Sequence, residues 1–265
     1  MWKRIYDAVA DRIEEKDKAF ELADIRFGEA RKWLVEQISP FYPRVVLEVG
    51  YGQGYLTMEA ACALSSADLV GVDLLHEHST VAVTRWYTRH FKMERRISLI
   101  ACDSMSLPFK GECFDSVISF RALQDIQSTR GEKGVLATIK ESCRVLKKNG
   151  VIAIADDSFP SCEPAEKQGK LFNAIKRYWR NLLPPTEEII EVMEKNGITP
   201  EALTYNPKER LLPQDAEKEL RLGVECAKPF GVNVDFDSFW KETGEVVRKQ
   251  GRVFPQVVLL LGIKA

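Results

Sequence analysis

Residues 44 to 54 read Arg44-Val45-Val46-Leu47-Glu48-Val49-Gly50-Tyr51-Gly52-Gln53-Gly54. The run Val45 to Val49 is β-branched and aliphatic with a single charge, a composition that suits a parallel strand covered on both faces. Gly50, Gly52 and Gly54 then allow positive φ and a close approach of backbone to a ligand. Tyr55 to Leu64 reads as a helix. A strand, a glycine turn and a helix N-terminus form the nucleotide-binding corner of an open α/β sheet.

Which ligand the corner takes is argued from its acid. Glu48, two residues before the first glycine, is expected at the strand tip, pointing into the ligand space. There it would repel a pyrophosphate and attract a cation. The glycine spacing also departs from G-x-G-x-x-G, since Tyr55 stands where that motif has glycine or alanine. Two more acids follow at the ends of later apolar runs. Asp73 closes Asp68-Leu69-Val70-Gly71-Val72-Asp73, near the spacing expected of a ribose-binding carboxylate, and Asp103-Ser104 follows Ile97 to Cys102, within reach of an adenine edge. Each alone reads as a polar residue at a strand end. Three at successive strand ends form a pattern.

The series Leu47 to Gly54, Gly71-Val72-Asp73, Cys102-Asp103-Ser104, Phe114-Asp115-Ser116-Val117-Ile118-Ser119 and Arg144 to Ile152 resembles the successive motifs of class I S-adenosylmethionine-dependent methyltransferases. It is most similar to the subgroup that includes the ubiquinone and menaquinone biosynthesis enzymes. The resemblance covers residues 40 to 157. It implies S-adenosylmethionine as cofactor, with Glu48, Gly50, Tyr51 and Gly52 around the methionine part, Asp73 on the ribose, Leu74 on one adenine face, Asp103 and Ser104 at the adenine amino edge, and Phe120 beside the sulfonium. It also implies a Rossmann-like, seven-stranded, mostly parallel sheet with helices on both faces and an antiparallel last strand. Many relatives carry a histidine after the fourth strand, where this chain has Arg121-Ala122-Leu123-Gln124-Asp125-Ile126. The substrate therefore stays open.

The rest of the chain divides around that core. Residues 1–43 read as two or three helices, which either pack on the sheet or act as a lid. Residues 44–157 alternate strand and helix and form the cofactor-binding core. Residues 158–255, cut by prolines, read as helices near 164–181, 186–196, 213–228 and 236–250 with a strand near 202–211, the helices forming a cap over the substrate. Residues 256–265 supply the final strand. Lys167, Lys170, Lys176, Arg177 and Arg180 with Phe172, Tyr178 and Trp179 form a basic, aromatic helix that suits an acidic substrate or RNA, but its charge is offset by neighbouring glutamates, so it reads first as a solvated amphipathic helix.

Composition sets limits. The 265 residues carry a formal net charge of −1, without the basic excess of a dedicated nucleic-acid binder. The cysteines Cys62, Cys102, Cys113, Cys143, Cys162 and Cys226 show no C-x-x-C pair, which predicts neither a zinc cluster nor a disulfide framework and suits a reducing cytoplasm. No apolar run nears the roughly 20 residues that span a bilayer, and no signal-peptide core follows Met1, so no membrane insertion is expected.

Transfer of a sulfonium methyl relies on in-line approach and desolvation, and a base is required only for some acceptors. His76, His78, Asp125, Asp156 and Asp157 are expected near the rim, each read as a surface or capping group, so no catalytic residue or metal is assigned. The sequence thus predicts an S-adenosylmethionine-dependent methyltransferase of a small molecule. The alternatives are a cofactor-binding scaffold or sensor without turnover, and a nicotinamide oxidoreductase, which Glu48 and Tyr55 disfavour. Oligomeric state is left open.

Overall fold

The computed structural model describes residues 27–74, 84–85, 88–164, 168–208, 210–228 and 231–265. A seven-stranded sheet has the order β3-β2-β1-β4-β5-β9-β6. Its strands are β1 (Val45–Val49), β2 (Asp68–Asp73), β3 (Ile97–Ala101), β4 (Phe114–Phe120), β5 (Leu146–Asp156), β6 (Ile198–Tyr205) and β9 (Val257–Lys264). The first five run parallel, and β9 lies antiparallel between β5 and β6. This is the sheet expected from the sequence. The chain winds β1-β2-β3 outward, then returns across β1 to β4, which makes the carboxyl ends of β1 and β4 the switch point where ligands bind in such sheets.

Strand alternation sorts the core into two layers. Val46, Ile118, Ala153 and Leu259 join one buried cluster, while Leu47, Val117, Ile152 and Leu260 join the other. Helices α1 (Gly28–Ile38) and α2 (Tyr55–Ala63) cover the first face. Helices α3 (Leu123–Val145, kinked at Gly131, where φ is 67°) and α5 (Thr186–Lys195) cover the second through Val135, Ile139, Ile189 and Met193. Between β5 and α5 lies α4 (Gly169–Trp179); after β6, helices α6 (Pro213–Ala227) and α7 (Phe236–Gln250) lie between two short strands, β7 (Arg210–Leu211) and β8 (Arg252–Val253), which pair antiparallel. Leu171, Ala174, Leu220 and Phe239 bring α4, α6 and α7 into the first layer's core.

Several expectations need correction. The expected strand near 202–211 is two strands, because β6 begins at Ile198 and runs through Pro200, while Arg210–Leu211 pairs with β8 instead. A proline inside a strand is tolerated here because β6 is the sheet edge, where a missing N–H costs no ladder bond. The helix expected at 186–196 is no cap. Its apolar stripe packs on α3 and β6 as an ordinary sheet-covering helix. Within residues 1–43 the described helix α1 also packs on the sheet, with Leu34 and Ile38 fully buried; the rest of that segment, up to residue 26, lies outside the described residues. Strand β5 starts at Leu146, five residues before the apolar run that suggested it. Among the described residues, no helix is long and apolar enough to cross a membrane.

Candidate functional site

The glycine loop after β1 is built from three left-handed residues, Gly50, Gly52 and Gly54, with φ of 76°, 47° and 77°. Their surroundings differ. A Cβ on Gly50 would stand 2.2 Å from the Ala122 Cβ, and one on Gly54 would stand 2.3 Å from the Thr84 Cγ2, so both glycines serve close packing. Among the described residues a Cβ on Gly52 would meet nothing within 4 Å. The loop is thus open at Gly52. There its backbone N–H donates to Asp73 Oδ2 at 2.9 Å, placing the carboxylate at the tip of β2 across the loop. Leu74, the next residue, is exposed.

Glu48 stands differently from its expected pose. Strand alternation turns its side chain with Val46 toward α2, where the Thr57 hydroxyl donates to its carboxylate and the residue is only 2% exposed. It lies beneath the loop, not in open ligand space. Burial, with a smaller contribution from the Asp73 charge, pushes its pKa up to about 8. Thr57 and the more distant Arg31 guanidinium act the other way. Arg31 itself forms a buried pair with Glu59 on α2, its Nε 2.9 Å from Oε2. Glu59 is nonetheless pushed above its ordinary range by burial.

Tyr51 is buried too. Its ring lies against Gly71 of β2, where a Cβ would come within 3.0–3.1 Å of the ring, and its hydroxyl is enclosed without a hydrogen-bond partner. Burial, then the Asp73 charge, raise that hydroxyl to about 12, so it is a neutral donor. Asp103 is half exposed: its Oδ1 accepts from the Met105 backbone at 2.9 Å and its Oδ2 lies 3.5 Å from Arg130 of α3. The Ser104 hydroxyl pairs with Thr138 at 2.9 Å. Phe120 ends β4 with its ring edge-on to Phe27, centroids 5.8 Å apart.

Beyond the switch point the ends of β4 and β5 carry a polar group that the sequence only hinted at. Asp156 is fully buried and accepts from the backbone N–H groups of Gln124 at 3.2 Å and Ser158 at 2.9 Å. Burial, then the adjacent Asp157 carboxylate, hold its pKa above the usual carboxylate range. The Ser158 hydroxyl and Asn181 amide both donate to Gln124 Oε1. Lys176 of α4 departs from the solvated reading of its helix, since it is 7% exposed and its Nζ donates to the Phe159 carbonyl at 2.9 Å. Burial lowers its pKa. Arg121 ion-pairs with Asp157. Of these residues Asp156 and Asp157 were expected near the rim, and Arg121 and Gln124 lie in the segment where many relatives carry a histidine; Ser158 and Asn181 carried no motif. His76 and His78 lie outside the described residues. Asp125 sits in the first turn of α3.

The site fits an adenosyl-amino-acid ligand on three counts. The loop is open at Gly52, the Asp73 carboxylate faces the opening, and exposed Leu74 offers an apolar surface beside it. Among the described residues no group of three or more His, Cys, Asp or Glu side chains could hold a metal ion, and the five cysteines with described side chains are free thiols.

Comparison with known proteins agrees with this geometry. A family model described as a methyltransferase domain matches residues 47–154. A demethylmenaquinone methyltransferase of Porphyromonas gingivalis is 30% identical over 152 residues, 56% of this chain and 58% of that protein. One from Roseiflexus is 25% identical over 73% of each chain. The chain thus spans little more than half the length of the Porphyromonas relative. Among solved structures, geranyl diphosphate methyltransferase in complex with SAM superposes with a TM-score of 0.59 at 13% identity, covering 98% of this chain and 95% of that one. The [4+2]-cyclase SpnF superposes with a TM-score of 0.60 at 17% identity, covering 89% and 80%. Those two likenesses establish the fold. Strand order, glycine loop and family match thus agree over residues 47–154, the part of the chain that is similar to the methyltransferase domain family.

Proposed function

We propose that this chain is an S-adenosylmethionine-dependent methyltransferase that acts on a small molecule. The observation that carries the reading is the loop open at Gly52 with the Asp73 carboxylate across it. Asp73 would exchange its loop contact for the ribose hydroxyls, Leu74 would cover an adenine face, and Asp103 with Ser104 would line the adenine edge. Gly50 and Gly52 leave the main chain accessible to the methionine part. Glu48, whose ionisation in this buried place calls for a nearby cation, would answer the ligand's ammonium group from beneath the loop. Phe120 would flank the sulfonium. When bound, the cofactor supplies an activated methyl group.

The chain's own residues supply position and dryness. Phe27, Phe120 and Phe254 pack edge to face around the ends of β4 and β8, an apolar cluster beside the Arg121–Asp157 pair, which supports a reading in which alignment and exclusion of water count for more than acid–base help. Both the curated relatives and the superposed methyltransferase are named for small-molecule substrates, which supports a small acceptor here. Methyl-labelled S-adenosylmethionine incubated with the protein and a cell extract tests the reading. Label passing to a small-molecule fraction is the expected result; label passing only to protein or nucleic acid would overturn the acceptor class, and no transfer from any extract would favour a binding protein.

A further inference from the structure

At the amino ends of β1, β4 and β5, opposite the glycine loop, Phe41, Tyr42, Arg44, Asp115, Lys147 and Lys148 line a cavity of about 260 Å³. Asp115 organises it. Its Oδ2 accepts from the backbone N–H groups of Arg44 at 3.0 Å and Val45 at 2.8 Å, and its Oδ1 accepts from Lys147 Nζ at 2.8 Å. Partial burial works against ionisation, but the Lys147 ammonium and the two backbone donors outweigh it and hold the Asp115 carboxyl below the usual carboxylate range. Its one negative charge is therefore taken up by Lys147. The Arg44 and Lys148 side chains are exposed, and among the described residues neither has a hydrogen-bond or ion-pair partner.

The aromatic side of the cavity is held out at a cost. A single 3-10 turn, Ser39–Phe41, ends at Tyr42 in the left-handed region, φ 49° and ψ 48°, directly before Pro43. That conformation is uncommon for a tyrosine, and a following proline restricts it further. Yet Tyr42 is 85% exposed and Phe41 42%, so neither ring gives much to the core. A strained backbone that presents an aromatic ring to solvent beside two exposed cations points to a ligand. Charge and size decide its class. Three cations face one carboxylate, an excess of two positive charges. That matches a phosphate monoester, which carries about −1.5 to −2 at neutral pH, and the guanidinium fork suits its oxygens. The volume is below that of a pocket for a drug-sized molecule, which limits the rest of the ligand to about one ring.

We propose that this cavity binds a small phosphate monoester carried on a flat ring, with the phosphate between Arg44 and Lys148 and the ring against Tyr42. The site lies at the far end of β1 from the proposed cofactor corner, so it is separate from that corner and does not depend on the methyltransferase reading. A nucleic acid would need a continued basic track along its backbone, whereas these cations are gathered around one concavity.

The test titrates phenyl phosphate, inorganic phosphate and phenol against the full chain by isothermal calorimetry. Phenyl phosphate should bind at least about fivefold tighter than either of the others, as expected of one added aromatic contact or charged group. Arg44→Gln with Lys148→Gln should weaken it at least about tenfold, the effect of losing hydrogen bonds between charged groups. Tyr42→Gly relieves the left-handed backbone and so keeps the fold; it should lower phenyl phosphate to the affinity of inorganic phosphate. Saturating S-adenosylhomocysteine should leave these affinities unchanged. Equal binding of the three probes, binding that survives Arg44→Gln with Lys148→Gln, or displacement of phenyl phosphate by S-adenosylhomocysteine would overturn the assignment. Vesicles of phosphatidylcholine and phosphatidic acid carry the same phosphate on a lipid. Sedimentation of the wild-type chain with them, lost in Arg44→Gln with Lys148→Gln, would overturn the small molecule in favour of a membrane surface.

Discussion

The Gly52 backbone N–H and the Asp73 carboxylate are joined by a 2.9 Å hydrogen bond, so the loop after β1 and the tip of β2 form one unit before any ligand arrives. Asp73 therefore has two uses. It sets the loop, and on the proposed reading it later accepts from ribose. Asp73→Ala should weaken S-adenosylhomocysteine binding roughly 10- to 100-fold, the loss of hydrogen bonds to a charged acceptor worth about 1.5–3 kcal/mol. Asp73→Asn, which keeps one acceptor oxygen, should lose less. Isothermal titration of the three proteins checks the order.

The two loop glycines should separate stability from binding. Gly50→Ala drives a Cβ to within 2.2 Å of the Ala122 Cβ at positive φ, and should cost about 2–4 kcal/mol of stability. Gly52→Ala places its Cβ in open space, so it should cost only about 1 kcal/mol, from the left-handed backbone, while narrowing the ligand cradle. Urea midpoints beside S-adenosylhomocysteine titrations read both effects. Equal stability losses would contradict the distinction.

Glu48 gives the ligand-free protein a signed pH dependence. Its folded pKa, raised to about 8 from 4.5, means that the folded chain holds a proton which the unfolded chain releases. Stability from this group is therefore full below pH 4.5, falls as pH rises toward 8, and is lost above it. Glu48→Gln removes the ionisation, so it should be more stable than the wild type by at least about 1 kcal/mol at pH 8 and should differ less at pH 5. A cation bound near Glu48 favours its ionised form, so S-adenosylmethionine affinity should rise between pH 6 and pH 8 in the wild type and stay flatter in Glu48→Gln. Denaturant curves and titrations at the three pH values test both halves.

The Arg31–Glu59 pair ties α1 to α2 inside the first layer. Arg31→Met strands a buried carboxylate and should cost about 3–5 kcal/mol, whereas Arg31→Met with Glu59→Leu should recover most of that loss. A thermal double-mutant cycle measures the coupling.

Much of this was legible in the sequence, and the boundary is physical. The β1–loop–α2 corner could be read because its strand is apolar but for Glu48 and glycines stand at the left-handed positions of its turn. The last strand, β9, could be read from its own apolar run, whereas its antiparallel sense came only from the family resemblance. Pro200 misled because edge position, which excuses a proline, is a property of the finished sheet. Glu48 was located correctly in the chain but not in space, since alternation assigned it to the α2 side and Thr57 gave it a partner there. The segment from Arg121 to Ile126 was marked by the resemblance, but nothing in Phe120-Arg121-Ala122 announces the left-handed conformation of Arg121. The network joining Gln124, Ser158 and Asn181 spans three separate segments, and such convergence has no sequence period.

The central claim is that the glycine corner binds S-adenosylmethionine. Isothermal titration of the full chain with S-adenosylhomocysteine, repeated with NAD as competitor, tests it most directly. The account predicts saturable one-to-one binding of S-adenosylhomocysteine that NAD does not displace and that Asp73→Ala weakens. Displacement by NAD, or no binding of S-adenosylhomocysteine by a folded wild-type chain, would contradict it.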